Sequence, residues 1–165
     1  MLNYFLYRLG QYIALLLPLK VSYALAVFFS DVRYLFAVKD KRAVLANLKV
    51  IFPEKSEKEI KKIRFLMFRN FAKYLVDFFR FSILNTTYIA KYIQVEHINY
   101  IDEALRGGKG VIILAAHLGN WELGGVVVSQ LGYPFWAVAL PHTHKKVNSF
   151  FNTQREQKGV NVIPF

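Results

Sequence analysis

The 165-residue chain contains no cysteine. Thiol catalysis and a disulfide framework are therefore excluded, and the composition agrees with a domain facing a reducing compartment. It also lacks a G-x-S-x-G nucleophile elbow and an H-E-x-x-H helix, so the common serine-hydrolase and zincin signatures are absent. Acidic residues are scarce, 11 against 22 Lys and Arg, which leaves a net charge of +11. That balance suits an anionic partner, either nucleic acid or an anionic leaflet where each basic residue contributes about 1 kcal/mol. No internal repeat or low-complexity linker divides the chain.

Apolar and aromatic residues are abundant: 55% of the chain is hydrophobic, with 15 Phe and 10 Tyr. The aromatics recur at core spacings and do not alternate with Lys and Arg along one surface, so the leaflet is expected and nucleic acid is not. Leu9 to Ser30 runs 22 residues with a single charge, Lys20, long enough for a straight helix to cross about 30 Å of hydrocarbon. Pro18 and Lys20 fall near its middle, and a central Lys costs about 2.5 to 3.5 kcal/mol, so a kinked helix inserted shallowly competes with a true crossing. Residues 1–36 are accordingly assigned as a hydrophobic, membrane-anchoring helical segment, and 37–165 as the N-terminal part of the domain that follows it.

Beyond that segment, Lys39, Lys41, Arg42 and Lys49 are set among Val44, Leu45, Leu48 and Ile51 in a helical pattern that Pro53 ends. Ser56-Glu57-Lys58-Glu59 reads as a capping box opening a helix through about Ser82, with Ile60, Ile63, Met67, Phe71, Tyr74 and Phe78 on one stripe. Its early polar face, Lys58, Lys61, Lys62 and Arg64, is either a solvated surface or a docking surface for anionic phospholipid or an acidic carrier protein. Tyr92 to Glu96 is expected as a strand and Asn99 to Leu105 as a short helix. The glycine run at Arg106–Gly110 precedes a strand and lacks G-K-[ST], so it reads as a turn.

The most informative stretch is Gly110 to Gly125, GVIILAAHLGNWELGG. Val111 to Ala116 is an uninterrupted apolar run, expected as a strand buried on both faces. Ligands in open α/β sheets bind at the carboxyl ends of such strands, and His117 stands there. Asn120 is the expected N-cap of the following helix, and Glu122, five residues after His117, lies in its first turn and is expected to point back toward the imidazole. A neutral imidazole takes a proton from an attacking hydroxyl, and a carboxylate fixes its tautomer and steadies the imidazolium. The backbone N–H groups of Leu118 to Trp121 stand at that helix start, where negative charge is favoured, which makes Gly119, Asn120 and Trp121 candidate substrate-binding residues. Trp121 to Leu131 should continue as a helix, with Gly124-Gly125 allowing close approach to the sheet. Pro134 to Leu140 and Val160 to Ile163 read as strands, and Val147 to Gln154 as a helix closed by Gly159. His142 and His144 form an H-x-H pair with no carboxylate or Cys close by, so no metal is expected.

The segment GKGVIILAAHLGNWELGG resembles the active-site block of the bacterial lipid A biosynthesis acyltransferases, the lauroyl and myristoyl transferase type within the glycerolipid acyltransferase-like superfamily, which carries His, four residues, then Asp or Glu. Asn47-Leu48 followed by Phe52-Pro53 resembles that family's upstream region, and Arg155 with Gly159 its R-x-x-x-G element. The resemblance implies an α/β fold, N-terminal membrane-associated helices followed by a mixed sheet flanked by helices. It implies His117 and Glu122 as catalytic residues and Arg155 as a substrate-binding guanidinium that grips phosphate or offsets oxyanion charge.

The implied reaction moves an acyl chain from acyl carrier protein or coenzyme A to a hydroxyl of a membrane lipid acceptor, in lipid A and lipopolysaccharide synthesis at the cytoplasmic face of the inner membrane. Lysophospholipid or another glycolipid is the alternative acceptor, and no cofactor or metal is implied. Many members carry Arg where this chain has Leu140, leaving His144, Lys145 or Lys146 to replace it. The likeness spans only about the first half of a typical member and stops before a further acidic residue, so the chain is expected to be incomplete at its C-terminus, with a truncated, non-catalytic membrane-binding relic as the competing expectation.

Overall fold

The structure, a computed structural model, describes residues 1–165. The chain falls into two compact units, Met1–Arg80 and Phe81–Phe165.

The first unit is all helical: α1 (Leu2–Leu16), α2 (Leu19–Phe36), α3 (Val38–Ile51) and α4 (Glu57–Phe79). Pro18 has no N–H to continue a helix, so it ends the first apolar run and serves as N-cap of α2. The Leu9 to Ser30 stretch is thereby divided between α1 and α2. No single helix is long and apolar enough to cross a membrane; α2 and α3 pass such a test only as a pair, bent by 93° at their break. The capping box forms as expected: Ser56 N–H donates to Glu59 Oε2 at 2.9 Å, and Glu59 N–H donates to Ser56 Oγ.

Helix α4 is the hub, packing against α1, α2 and α3 around Ala14, Leu48, Ile60 and Val76. Gly10 on α1 makes the closest approach, where a Cβ would lie 2.9 Å from the Phe79 ring. Polar cross-links from α4 hold the others: Arg69 forks onto both oxygens of Asp31 at 2.8 and 2.5 Å, Tyr23 donates to Asp77, and Arg64 Nε donates to Tyr34 Oη at 2.9 Å. Arg80 donates to the carbonyls of Ala14 and Leu17, satisfying the exposed end of α1 where the dipole favours a cation.

In the second unit a 3₁₀ turn (Phe81–Ile83) leads to α5 (Thr86–Tyr92), capped by Asn85 Oδ1, and α6 (Asn99–Leu105). Then come α7 (Trp121–Gln130), β1 (Phe135–Ala139), α8 (Lys145–Glu156) and β2 (Val160–Pro164). The strands pair in parallel, Phe135 opposite Val160 through Ala139 opposite Pro164, so β1-α8-β2 is one crossover unit. Helix α7 packs on both strands and α8 on β2, burying Val126, Val127, Val147, Phe150 and Phe151. Gly125 sits where a Cβ would be 3.0 Å from the Phe135 ring, the close helix-to-sheet contact its sequence position suggested. Gly159 takes φ +78° after α8, a left-handed value that favours glycine. Lys158 Nζ donates to the carbonyls of Ser82 and Leu84 at 3.0 and 2.6 Å, and burial pushes its pKa below the usual lysine value.

The α/β class stands, with two corrections to its sheet. The sheet is the parallel pair β1-β2 and not a larger mixed one, and Val111 to Ala116 is not a buried strand. The segment runs without ladder partners, Ile112 and Leu114 each 97% exposed. An apolar run acquires strand character only when a neighbour takes its N–H and C=O groups, and neither β1 nor β2 does so. Tyr92 to Glu96 likewise forms no strand: Tyr92 ends α5 and the rest is loop.

Candidate active site

His117 lies between the extended apolar segment and α7, with φ +53°, a left-handed value uncommon for a residue with a Cβ. Gly119 follows at φ +63°. These two residues reverse the chain so that Asn120 caps α7, its Oδ1 accepting from Leu123 N–H at 3.0 Å as the sequence suggested. The His117 ring is exposed and rests against Trp121, centroids 4.6 Å apart. Its Nδ1 is 3.5 Å from the Ala115 carbonyl, too long to fix the ring.

Glu122 does not turn to His117. Both of its oxygens accept from Arg155 on α8, Nε to Oε2 at 2.8 Å and Nη2 to Oε1 at 2.5 Å, while Arg155 Nη1 donates to Asn152 Oδ1 at 3.1 Å. The pair is well shielded, its side chains 11% and 15% exposed. A guanidinium matches a carboxylate with two parallel, charge-assisted bonds, and a single imidazole N–H does not compete with that geometry. Arg155, expected to grip substrate, is therefore committed to the motif glutamate. Sequence spacing placed both residues near one site but could not show that they hold each other.

His142 was read only as half of an H-x-H pair. Its ring packs on Phe151, centroids 4.5 Å apart, and its backbone N–H donates to Asn148 Oδ1 at 3.0 Å, both partners on α8. Phe151 precedes Arg155 by one helical turn, and His142 senses the ion pair: partial burial lowers its pKa below the usual 6.5, the Arg155 charge lowers it further, and the Glu122 charge opposes both. The signal available in the sequence was the Phe151/Arg155 spacing with Asn148 one turn earlier. His144, Lys145 and Lys146 are exposed at the start of α8, and His144 makes no capping bond there. No group of three or more His, Asp or Glu side chains comes together to hold a metal ion.

The arrangement thus offers an accessible imidazole, a helix N-terminus beginning at Trp121, and an ion-paired carboxylate in the first turn of that helix. A carboxylate has about four lone-pair sites, so Glu122 retains acceptor capacity beyond its two bonds to Arg155.

A sequence profile described as "Bacterial lipid A biosynthesis acyltransferase" matches residues 1–165. A phosphatidylinositol mannoside acyltransferase of Mycolicibacterium smegmatis is 28% identical over 95 residues, 58% of this chain and 31% of that protein. A lipid A biosynthesis acyltransferase of Haemophilus influenzae is 21% identical over 123 residues, 74% of this chain and 39% of its own length. The chain thus spans about a third of the length of the curated relatives it matches, 31% and 39%. No solved structure matches it. With the profile covering every residue from the N-terminal helices through the His117 to Glu122 block, the chain belongs to the bacterial lipid A biosynthesis acyltransferase family.

Proposed function

We propose that the chain carries the proton-transfer half of an O-acyltransferase acting on a membrane lipid. The observation that carries this reading is the accessible His117 imidazole at the start of α7, five residues before a carboxylate, in a chain matched by the family along its whole length. The acceptor hydroxyl gives its proton to His117 as its oxygen attacks the thioester carbonyl. The tetrahedral oxyanion forms near the N–H groups that open α7, where the helix dipole is positive. Collapse breaks the C–S bond, the imidazolium proton goes to the departing thiolate, and ester and free thiol leave. Glu122, anchored by Arg155, steadies the imidazolium once His117 turns inward; Arg155 is thus a positioning residue, and phosphate recognition falls to the exposed His144, Lys145 and Lys146.

The donor in this reading is acyl carrier protein or coenzyme A, and the acceptor a lipid A precursor at the cytoplasmic face of the inner membrane. The net charge and the exposed apolar residues of α1 and α2 support contact with an anionic leaflet. The mannoside acyltransferase relative favours a second acceptor class, a glycosylated phospholipid with a free sugar hydroxyl. Membranes expressing the chain, beside a His117→Ala version, should be assayed for transfer of labelled acyl groups from acyl carrier protein to a lipid A precursor, a mannosylated phosphatidylinositol and lysophospholipids. Transfer that disappears in the variant supports the reading and identifies the acceptor. A folded wild-type chain that transfers nothing to any of them overturns catalysis by this chain alone and leaves the non-catalytic membrane-binding relic.

A further inference from the structure

Within the first unit, α1, α2 and α4 enclose an open cavity of about 310 Å³ whose lining is almost wholly apolar. Leu25, Ala26 and Phe29 of α2 form one wall and Phe71, Ala72 and Leu75 of α4 the other. Lining residues extend from Ser22 to Arg33 on α2 and from Phe68 to Phe79 on α4. Eleven steps of helical rise make each wall about 16 Å long. An extended hydrocarbon of about a dozen bonds has that length, each C–C bond of about 1.5 Å advancing the zigzag by about 1.3 Å.

The two ends of the groove differ. At one, Ser22 is buried and its hydroxyl is spent on the Pro18 carbonyl at 3.3 Å, so nothing polar is left to receive a ligand. At the other stands Arg33, whose partner is Asp40 at 2.7 Å in a pair that is 69% and 49% exposed. Such a surface pair is weak and exchanges readily for another anion. Lys41 and Arg64 gather on Tyr34 beside it, and Arg69 is matched to Asp31. Four cations thus face two carboxylates around the last turns of α2. Phe29 and Phe71 line the groove and remain exposed at its mouth.

A slot apolar along its length and cationic at one end fits one amphiphile. We infer that this groove holds a single acyl chain of an anionic membrane phospholipid, its phosphate at Arg33. No lining residue belongs to the His117 to Arg155 constellation, and none can accept a proton from a substrate hydroxyl, so the bound lipid is retained and not transformed. The inference rests on the membrane-surface reading above.

Flotation with vesicles of phosphatidylcholine and phosphatidylglycerol tests that reading by itself. Phosphatidylglycerol with a photoreactive group midway along one acyl chain, placed in the same vesicles, tests the groove. Adducts should concentrate on the peptides around Leu25–Arg33 and Phe68–Val76. Ala72→Phe, which fills the slot, should lower them at least fivefold while flotation persists, and Ala26→Leu on the facing wall should do the same if the first variant loses helicity. Arg33→Gln should remove the preference for labelled phosphatidylglycerol over equally labelled phosphatidylcholine. Loss of flotation sinks the membrane reading and the groove together. Retained flotation with adducts spread evenly over exposed residues such as Phe5, Leu16 and Phe36 overturns the groove alone, as do adducts indifferent to both filling variants. A lipid-free dimer, meaning that a second copy covers the slot, overturns it as well.

Discussion

The two units of this chain differ in how their backbones are satisfied. In Met1–Arg80 every element is a helix, which closes its hydrogen bonds within itself and needs neighbours only for its apolar stripe. In Phe81–Phe165 the chemistry-bearing segment is extended, and Val111 to Ala116 has no strand beside it. Local structure is therefore decided residue by residue in the first unit, whereas in the second it depends on what lies alongside. The first unit is expected to answer mutation through stability, and the second through chemistry and through the Glu122–Arg155 lock.

The largest effect separates those two responses. His117→Ala should lower acyl transfer by about 10² to 10⁴-fold, the range for a general base, with no change in the unfolding midpoint because the ring is exposed and unfixed. A parallel loss of stability would mean that the imidazole is structural. Ser56→Ala is the counterpart in the first unit, a loss of stability with acyl transfer per folded molecule retained.

Arg155→Met tests the lock. Removing the guanidinium leaves the Glu122 carboxylate shielded and unpaired, a cost of about 3 kcal/mol in urea unfolding. Glu122→Gln added to it should recover most of that loss, since the stranded charge disappears. Activity separates the roles: if Arg155 gripped substrate directly, Arg155→Met would raise KM alone, whereas a positioning role lowers kcat and shifts its pH profile.

Most of the first unit could be read in the sequence. The Ser56–Glu59 box, the stop at Phe52-Pro53 and the stripe through Ile60 and Phe78 are local signals with local causes. What could not be read there was the break at Pro18 as a full separation of two helices, because tolerance of a proline depends on the packing around it. In the second unit Asn120, β1, α8 and β2 were legible for the same local reasons. The Val111 run misled because apolarity without polar alternation specifies burial and says nothing of the partner. Glu122 misled because spacing along a helix fixes where a side chain starts and not which of two partners, the His117 imidazole or the Arg155 guanidinium, it meets.

Gly125→Val sharpens the packing side of the comparison. The glycine has no strained φ, so the loss is steric: with a Cβ 3.0 Å from the Phe135 ring, and valine's two methyl groups beyond it, the ring or α7 must give way. About 1 to 3 kcal/mol should be lost in unfolding, whereas Gly124→Val, with nothing within 4 Å, should leave stability unchanged or raise it by a few tenths of a kcal/mol (about 0.3), because valine forms helix better than glycine. Ser56→Ala falls close behind at about 1 kcal/mol.

The smallest expected effect is a pH dependence confined to the second unit. His142 is held below its ordinary value of 6.5 by partial burial against Phe151 and then by the Arg155 charge, with Glu122 pulling the other way. The unfolded chain therefore takes up the proton more readily than the folded one. His142 costs nothing above pH 6.5, and stability declines as pH falls from there through the lower folded value. His142→Asn should flatten the decline that begins below pH 6.5, read in unfolding midpoints taken from neutral to acidic pH. Glu122→Gln in the otherwise wild-type chain should steepen it, because the one charge that favours the imidazolium is gone while Arg155 remains. A slope unchanged by either substitution would mean that the imidazole titrates as though fully in water and does not feel the lock.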